Sequence, residues 1–340
     1  MKILKWIIFP FTLIYILVVS IRNFMFDIGF FKQEQFPVRI ISVGNLSTGG
    51  TGKTPFVEYL INSIPSTIKI AVLSRGYKRN TKGYVRADER STASSIGDEP
   101  FQLYKKYGQR LVVAVAEKRR IGVYRLMSDK NPPDLILLDD AFQHRWVKRD
   151  LNILLTTYAK PFFNDFTLPT GNLREPRVEA KRADVVVVTK CPDVTDEKKT
   201  IFEKKIKRLA GDVMIDFARI RYEEVRSAFG NKTLEAEQVV LLSGIANPTP
   251  FNDYMAENYQ IIERFTYPDH YAFTRTDLNE LNVKLSQNDY PIITTEKDMV
   301  RLLAHRDHPV FDRHSLFYLP ISFSLDKSEE LTEQIMKGLR

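Results

Sequence analysis

Short runs of Val, Ile and Leu recur along the chain with polar or helix-like stretches between them: VRIISVG, IKIAVLS, RLVVAVA, PDLILLDD, LNILLTT and ADVVVVTK. Short apolar runs without regular alternation mark strands buried on both faces, so they predict a mainly parallel sheet covered by helices. TPFVEYLINSI, shortly after the first run, predicts one of those helices. Past the sixth run, the charged stretch DEKKTIFEKKIKRLAG leads into IDFARIRYEEVRSAF, which reads as a ribbon-like connector. QVVLLSGI, YQIIERFTY, YPIITT and SLFYLPI then supply a second set of strands. The pattern divides the chain into a segment 1–35, an α/β core over 36–225, and a smaller α/β domain over 226–340 that closes over the core,.

The first segment departs from this alternation. WIIFPFTLIYILVVSI, from Trp6 to Ile21, is apolar all round, with Lys2 and Lys5 before it, Arg22 after it, and a further apolar patch in FMFDIGFF,. Its sixteen residues reach about 24 Å as a helix, short of a ~30 Å hydrocarbon core, so the stretch is expected to embed rather than span. A small-x-small cleavage site is missing, which argues against a removed signal peptide and for a retained membrane-associated helix; a buried core helix is the alternative.

Composition narrows the class further. The 340 residues are 44% hydrophobic and 27% charged, as in a folded globular protein,. One cysteine, Cys191, excludes an internal disulfide framework and a thiolate metal cluster, and fits a reducing compartment,. The net charge of +8 suits an anionic lipid, nucleotide or nucleic acid,. No zinc-finger spacing or RNA-recognition signature is present, so nucleic acid is set aside. No obligate protein partner is inferred.

The chemistry begins at VGNLSTGGTGKTP, residues 43–55. In a phosphate-binding loop, glycines let backbone amides face the phosphates, a lysine reaches the terminal phosphates, and the next hydroxyl holds magnesium. Gly49, Gly50, Thr51, Gly52, Lys53 and Thr54 meet these requirements, although Ser47 stands where the strict pattern has its first glycine. A strand before and a helix after complete the context, so the fold class is α/β of the P-loop NTPase type. PDLILLDDAFQHR has the form of the second nucleotide motif, in which Asp139 or Asp140 holds magnesium directly or through water,. TKCPD, at 189–193, is one residue too long for the guanine-reading pattern, which favours adenine.

VGNLSTGGTGKTP, LSRGYKR, GDEP, LLDDAFQHR, LPTGNLREP, SGIANP, FTYPDHYAFT and TTEKDMVRL together resemble the tetraacyldisaccharide 4′-kinase family, from the N-terminal apolar segment to about residue 320. The resemblance implies ATP- and Mg2+-dependent phosphorylation of the 4′-hydroxyl of the lipid A precursor tetraacyldisaccharide 1-phosphate. It also implies a location at the cytoplasmic face of a bacterial inner membrane. Ala141, Thr170 and Asn172 depart from the usual family residues, while Asp139, Asp140, Gln143, His144, Arg174 and Glu175 are kept.

An alcohol needs a base, and the resemblance points to Asp98 with His270 assisting, two residues that meet only if the second domain closes on the first. Arg75 and either Arg119 or Arg120 are candidates for substrate phosphate or transition-state charge, since a guanidinium fork fits phosphate oxygens. Gln143, His144 and Glu175 are further candidates for substrate or phosphate contacts, Glu175 through the magnesium or ATP network. Two other functions share the loop and the acidic strand: a membrane-tethered P-loop GTPase or ATPase acting as switch or metallochaperone, and a scaffold that binds nucleotide without turnover.

Overall fold

The computed structural model describes residues 2–285 and 288–339. Each of the six expected runs forms a strand: β1 (Arg39–Asn45), β2 (Ile70–Ser74), then, after a short edge strand β3 (Val85–Arg86), β4 (Leu111–Val115), β5 (Leu135–Asp139), β6 (Leu151–Thr157) and β7 (Val185–Thr189). The larger sheet continues through β8 (Met214–Tyr222), and the smaller sheet comprises β9 (Arg226–Ser227), β10 (Gln238–Ser243), β11 (Gln260–Thr266), β12 (Ile292–Thr295) and β13 (Leu316–Leu319). The last strand, β14 (Ile321–Leu325), returns to the larger sheet, whose order is β14-β8-β7-β6-β1-β5-β2-β4-β3. Only its edge strands β3 and β14 are antiparallel.

Alternate residues of the central strands feed different cores, as a pleated strand requires. Ile41, Val43, Val72, Leu137, Ile153 and Val185 pack on one face with Phe56 and Leu60 of the helix Lys53–Ser63. On the other face, Ile40, Leu73, Ile136 and Leu138 meet Val123 and Leu126 of the helix Arg119–Met127. The smaller sheet, in the order β11-β10-β12-β13-β9, is likewise covered on both faces, with Val240 and Ile292 in one core and Leu241 and Ile293 in the other.

Two parts of the chain differ from expectation. IDFARIRY is not a connector but most of β8, paired in parallel with β7, and the charged stretch before it is the helix Asp196–Ala210. β14 lies inside the 226–340 span yet pairs with β8, so that span is not carried wholly by the smaller sheet. The anchor is Asp216, buried in β8, whose Oδ1 accepts the backbone N–H groups of Phe217, Asp326 and Lys327 at 2.7, 3.1 and 3.0 Å.

The N-terminal helix runs from Lys2 to Asp27, longer than the apolar stretch alone indicates. One side of it is bound to the body of the protein. Tyr15 donates to Arg174 O at 3.0 Å, Arg22 to Gln143 O at 3.0 Å, and Arg145 reaches Asn23 O at 2.9 Å and Asp27 Oδ1 at 2.6 Å. The other side exposes Phe11, Ile14, Val18, Ile21, Phe24 and Ile28, a helically spaced apolar stripe,.

Candidate active site

The glycine-rich turn leaves β1 at the carboxyl end of the larger sheet, where β1 lies between β5 and β6. Open α/β sheets take their ligands at this kind of switch point. Gly52, the N-cap of the helix Lys53–Ser63, has φ 81°, and Gly49 has φ 105°, both in the left-handed region that favours glycine,. A Cβ on Gly49 or Gly50 would meet nothing within 4 Å, whereas one on Gly52 would strike Phe323 Cζ at 2.7 Å. The turn is open on one side and closed by β14 on the other.

Ser47 is tolerated because its segment is extended rather than tightly turned. It forms an isolated bridge with Leu173, and Thr48 donates its N–H to Asn172 O at 2.8 Å. Thr51 is buried and serves as an internal strut: Asn45 Nδ2 donates to its Oγ1 at 2.9 Å and Thr189 Oγ1 to its carbonyl at 2.8 Å. Lys190 Nζ donates to Gly50 O at 2.8 Å. Thr54, also buried, is the second residue of the helix.

Beside the turn, β5 ends in two unlike carboxylates. Burial works against charge on Asp140, but Lys53 and Arg174 outweigh it and hold the carboxyl below its usual range. Arg174 Nη1 lies 3.0 and 3.1 Å from the two oxygens and Lys53 Nζ 3.6 Å from Oδ1. Asp139 is buried, its Oδ1 has no hydrogen-bond partner, and burial, then Glu99 and Asp140, push its pKa up to about 7. A lone buried carboxylate oxygen beside a phosphate-type loop suits a cation. Among the described residues no group of three or more His, Cys, Asp or Glu side chains forms a ready-made metal cage. That fits Mg2+, which binds through one or two carboxylates and fills its shell with phosphate and water.

A second cluster joins the two sheets. Asp98 opens the helix Asp98–Tyr107, and its Oδ2 lies 3.3 Å from His270 Nδ1 and 2.8 Å from Arg301 Nε. Arg301 also donates to Asp298 Oδ1 at 2.7 Å and Gly244 O at 3.1 Å. Lys297 Nζ lies 3.2 Å from His270 Nε2 and 3.6 Å from Glu99 Oε1. Arg301 Nη2 also lies 3.2 Å from His270 Nδ1. The tautomer with Nδ1–H donating to Asp98 and Nε2 accepting from Lys297 satisfies the Asp98 and Lys297 contacts and leaves Arg301 to its bonds with Asp98, Asp298 and Gly244,.

The chain matches the family model described as tetraacyldisaccharide-1-P 4′-kinase over residues 4–340. The chain belongs to the tetraacyldisaccharide 4′-kinase family. It is 46% identical over 326 residues to the tetraacyldisaccharide 4′-kinase of Flavobacterium johnsoniae, covering 94% of this chain and 93% of that one. With the enzyme of the same name from Cytophaga hutchinsonii it shares 40% identity over 334 residues, covering 96% and 93%. A crystal structure of the family enzyme from Aquifex aeolicus, described as an "apo" form in complex with ATP, is similar at a TM-score of 0.78 and 29% identity, over 99% of this chain and 100% of that one.

In this kinase the remaining candidate residues divide sharply. Arg119, buried, donates to Asp139 O at 3.1 Å and Ala116 O at 3.0 Å, and burial lowers its pKa to about 10. Arg120, its neighbour, points the other way and pairs with Glu34 at 3.4 Å, so of the two only Arg119 adjoins the site. Arg75 is exposed, and its charge helps to depress both Arg119 and His144, after burial. Gln143 Nε2 donates to Asn45 O at 2.8 Å. Burial and then Arg119 push His144 down to about 3, so it is a neutral imidazole, and its Nε2 is buried without a partner.

Glu175 does not face the metal or ATP network. Its buried carboxylate accepts from Asn23 Nδ2 at 3.1 Å, pairs with Arg182, and lies 3.8 Å from Arg22, so it holds the N-terminal helix to the kinase body. Two departures from the family pattern act in the same region: Thr170 bonds Thr12 of that helix, and Asn172 Nδ2 donates to Asp165 Oδ2 at 3.0 Å. Four side chains not singled out in the sequence, Glu99, Lys190, Lys297 and Arg301, also enter the site. Glu99 follows Asp98 directly and TTEKDMVRL contains Lys297 and Arg301, yet no spacing rule relates that helix to Asp98.

Proposed function

We propose that this kinase transfers the γ-phosphoryl group of ATP to the 4′-hydroxyl of tetraacyldisaccharide 1-phosphate, in lipid A biosynthesis, with Asp98 as the base. The observation that carries the assignment is the Asp98–His270 pair beside a phosphate-type loop. As the hydroxyl oxygen bonds to the γ-phosphorus, its proton passes to Asp98 and the bond to the β–γ bridging oxygen breaks, leaving ADP. His270 holds Asp98 in position through Nδ1. Lys53 and the backbone amides of Gly49 to Thr54 receive the phosphates. Gln143 and His144, the latter neutral, are read as lining the approach from the N-terminal helix, and the exposed Arg75 as a contact for a substrate phosphate.

Thr54 and Asp139 are the residues suited to hold Mg2+, with Asp140 tied to Lys53 and Arg174; the ion would neutralise charge on the nucleotide phosphates. Residues 36–222 with the returning segment 321–339, and residues 226–319, are read as the two units that open and close, linked through 223–225 and through Pro320. The N-terminal helix is read as lying in the cytoplasmic face of an inner membrane. Its contacts extend from Thr12 to Asp27, about 22 Å along the axis, so the helix cannot leave the kinase body to cross a bilayer over that length. Its apolar stripe would rest among the acyl chains where the lipid substrate lies.

The test is transfer of labelled γ-phosphate to tetraacyldisaccharide 1-phosphate in detergent micelles, beside reactions with GTP and without lipid. Labelled lipid from ATP supports the reading. Nucleotide hydrolysis indifferent to the lipid would favour the membrane-tethered switch instead.

A further inference from the structure

Lys297 occupies an unusual place. It is carried by the helix Glu296–Leu302 after β12 of the smaller sheet, yet its ammonium lies between Glu99 and His270, 3.6 and 3.2 Å away. Glu99 is one of the charges acting on Asp139 at the end of β5. On the opposite side, desolvation and then Lys297 lower the pKa of Lys190, whose ammonium is bonded to Gly50 O in the glycine turn. Lys297 therefore touches the Asp98–His270 pair and Glu99 directly, and its charge is felt by Lys190, which is bonded to the glycine turn. In the reaction proposed above, the γ-phosphorus and the attacking hydroxyl meet beside that pair.

Its present contacts are weak ones for a cation. An imidazole lone pair is neutral, and 3.6 Å exceeds hydrogen-bond length,. Arg301, one turn along, contrasts with it: Asp98, Asp298 and Gly244 O fix the guanidinium in place. Lys53, the loop's own lysine, lies 3.6 Å from Asp140 Oδ1 and serves the nucleotide phosphates from the loop side. A polyanionic phosphate arriving in this space would draw Lys297 more strongly than His270 does.

We propose that Lys297 is a catalytic residue delivered by the smaller sheet, whose ammonium leaves His270 and Glu99 to neutralise the transferring phosphoryl group. This rests on the nucleotide assignment made above. The 4′-oxygen bonds to phosphorus, the hydroxyl proton goes to Asp98, and the electron pair of the broken bond leaves with ADP. Lys297 keeps all its protons throughout and stabilises the equatorial oxygens.

Calorimetric titration with Mg2+, using ADP and the non-hydrolysable β,γ-imido analogue of ATP, tests this on the wild type, Lys297→Met and Lys297→Arg. Lys297→Met is expected to bind ADP within about twofold of the wild type but the analogue about tenfold more weakly, with Lys297→Arg close to the wild type. Its transfer rate should fall about 100-fold, and the loss should multiply with that of His270→Ala. Equal binding of the analogue by Lys297→Met and wild type would overturn the proposal. So would a rate loss that disappears in the His270→Ala background, since Lys297 would then act only through the imidazole. Lys53→Ala is the control for the underlying assignment: if it keeps wild-type transfer, the loop reading falls and this proposal with it. If it loses transfer while Lys297→Met does not, only the proposal falls. Matching melting temperatures of the variants and the wild type show that the measurements compare folded proteins.

Discussion

Asp98 Oδ2 and His270 Nδ1 lie 3.3 Å apart across the two sheets, although 172 residues separate them in the chain. Arg301 approaches the same carboxylate oxygen at 2.8 Å, so the imidazole and the guanidinium together fix where that oxygen points. If Asp98 takes the proton, Asp98→Asn should lower kcat by roughly 1,000-fold with little change in the KM for ATP, within the usual range for a general base. His270→Ala, which removes only a positioning contact, should cost less, about 10- to 100-fold. Steady-state kinetics measure both, and Asp98→Asn with a near-normal kcat would remove Asp98 from the chemistry.

Asp139 predicts a pH dependence whose sign follows from burial. Its folded-state pKa of about 7 lies above the unfolded value, so the folded protein binds the extra proton between about pH 4 and 7,. Without nucleotide or metal, stability should therefore decline as pH rises through that window, by an amount on the order of 4 kcal/mol at most. Asp139→Asn should flatten the plot of melting temperature against pH. Affinity for ATP with Mg2+ should move the opposite way, rising as pH passes through about 7 and the carboxylate is freed for the cation.

Glu175 carries the docking of the N-terminal helix. Glu175→Ala leaves Asn23 and one side of Arg182 facing a buried gap. Arg182 keeps Glu179 at 3.1 Å, so the cost should be about 1–3 kcal/mol, that of unsatisfied buried polar groups, rather than that of a stranded charge,. Hydrogen exchange over residues 12–27 should speed up, and Glu175→Gln, which can still accept from Asn23, should give a smaller effect. Unchanged exchange in Glu175→Ala would mean that other contacts hold the helix.

The apolar stripe on the same helix gives a separate expectation. Changing Ile14, Val18 and Ile21 to Glu should move the protein from membranes into the soluble fraction. Transfer to detergent-dispersed substrate should persist, because these side chains face away from the kinase body,. Retention on membranes would refute the interfacial reading.

Lys106 links the phosphate-loop helix to the smaller sheet: its Nζ lies 2.6 Å from Glu58 Oε2 and 2.8 Å from Glu296 Oε1. Burial, then Glu296, raises Glu58 to about 7 even with Lys106 present. Lys106→Met leaves two buried carboxyls without their cation and should cost about 3–5 kcal/mol near pH 8. At pH 5 the loss should be smaller, since Glu58 is then protonated. Urea denaturation at the two pH values measures the difference.

The strands β1, β2, β4, β5, β6 and β7 were legible in the sequence because a strand buried on both faces must be apolar throughout, a local property. The glycine turn was legible for the same kind of reason, since left-handed backbone at Gly49 and Gly52 favours glycine whatever surrounds it,. The pairing of β8 with β7 was not, because IDFARIRY interleaves polar residues, and only the backbone amides at 326 and 327 show why Asp216 is buried there. The return of β14 was hidden similarly, since ISFSL alternates like a surface strand while Phe323 closes the glycine turn from behind. Adjacent arginines at 119 and 120 are equivalent in sequence and separated only by the direction of their helix faces. Family resemblance named Asp98, His270 and Glu175, but which groups meet them depends on contacts between distant segments. Periodicity and backbone preference act over a few residues and so can be read along the chain; the partners of a charge are set by packing between elements, which appears only when the chain has folded.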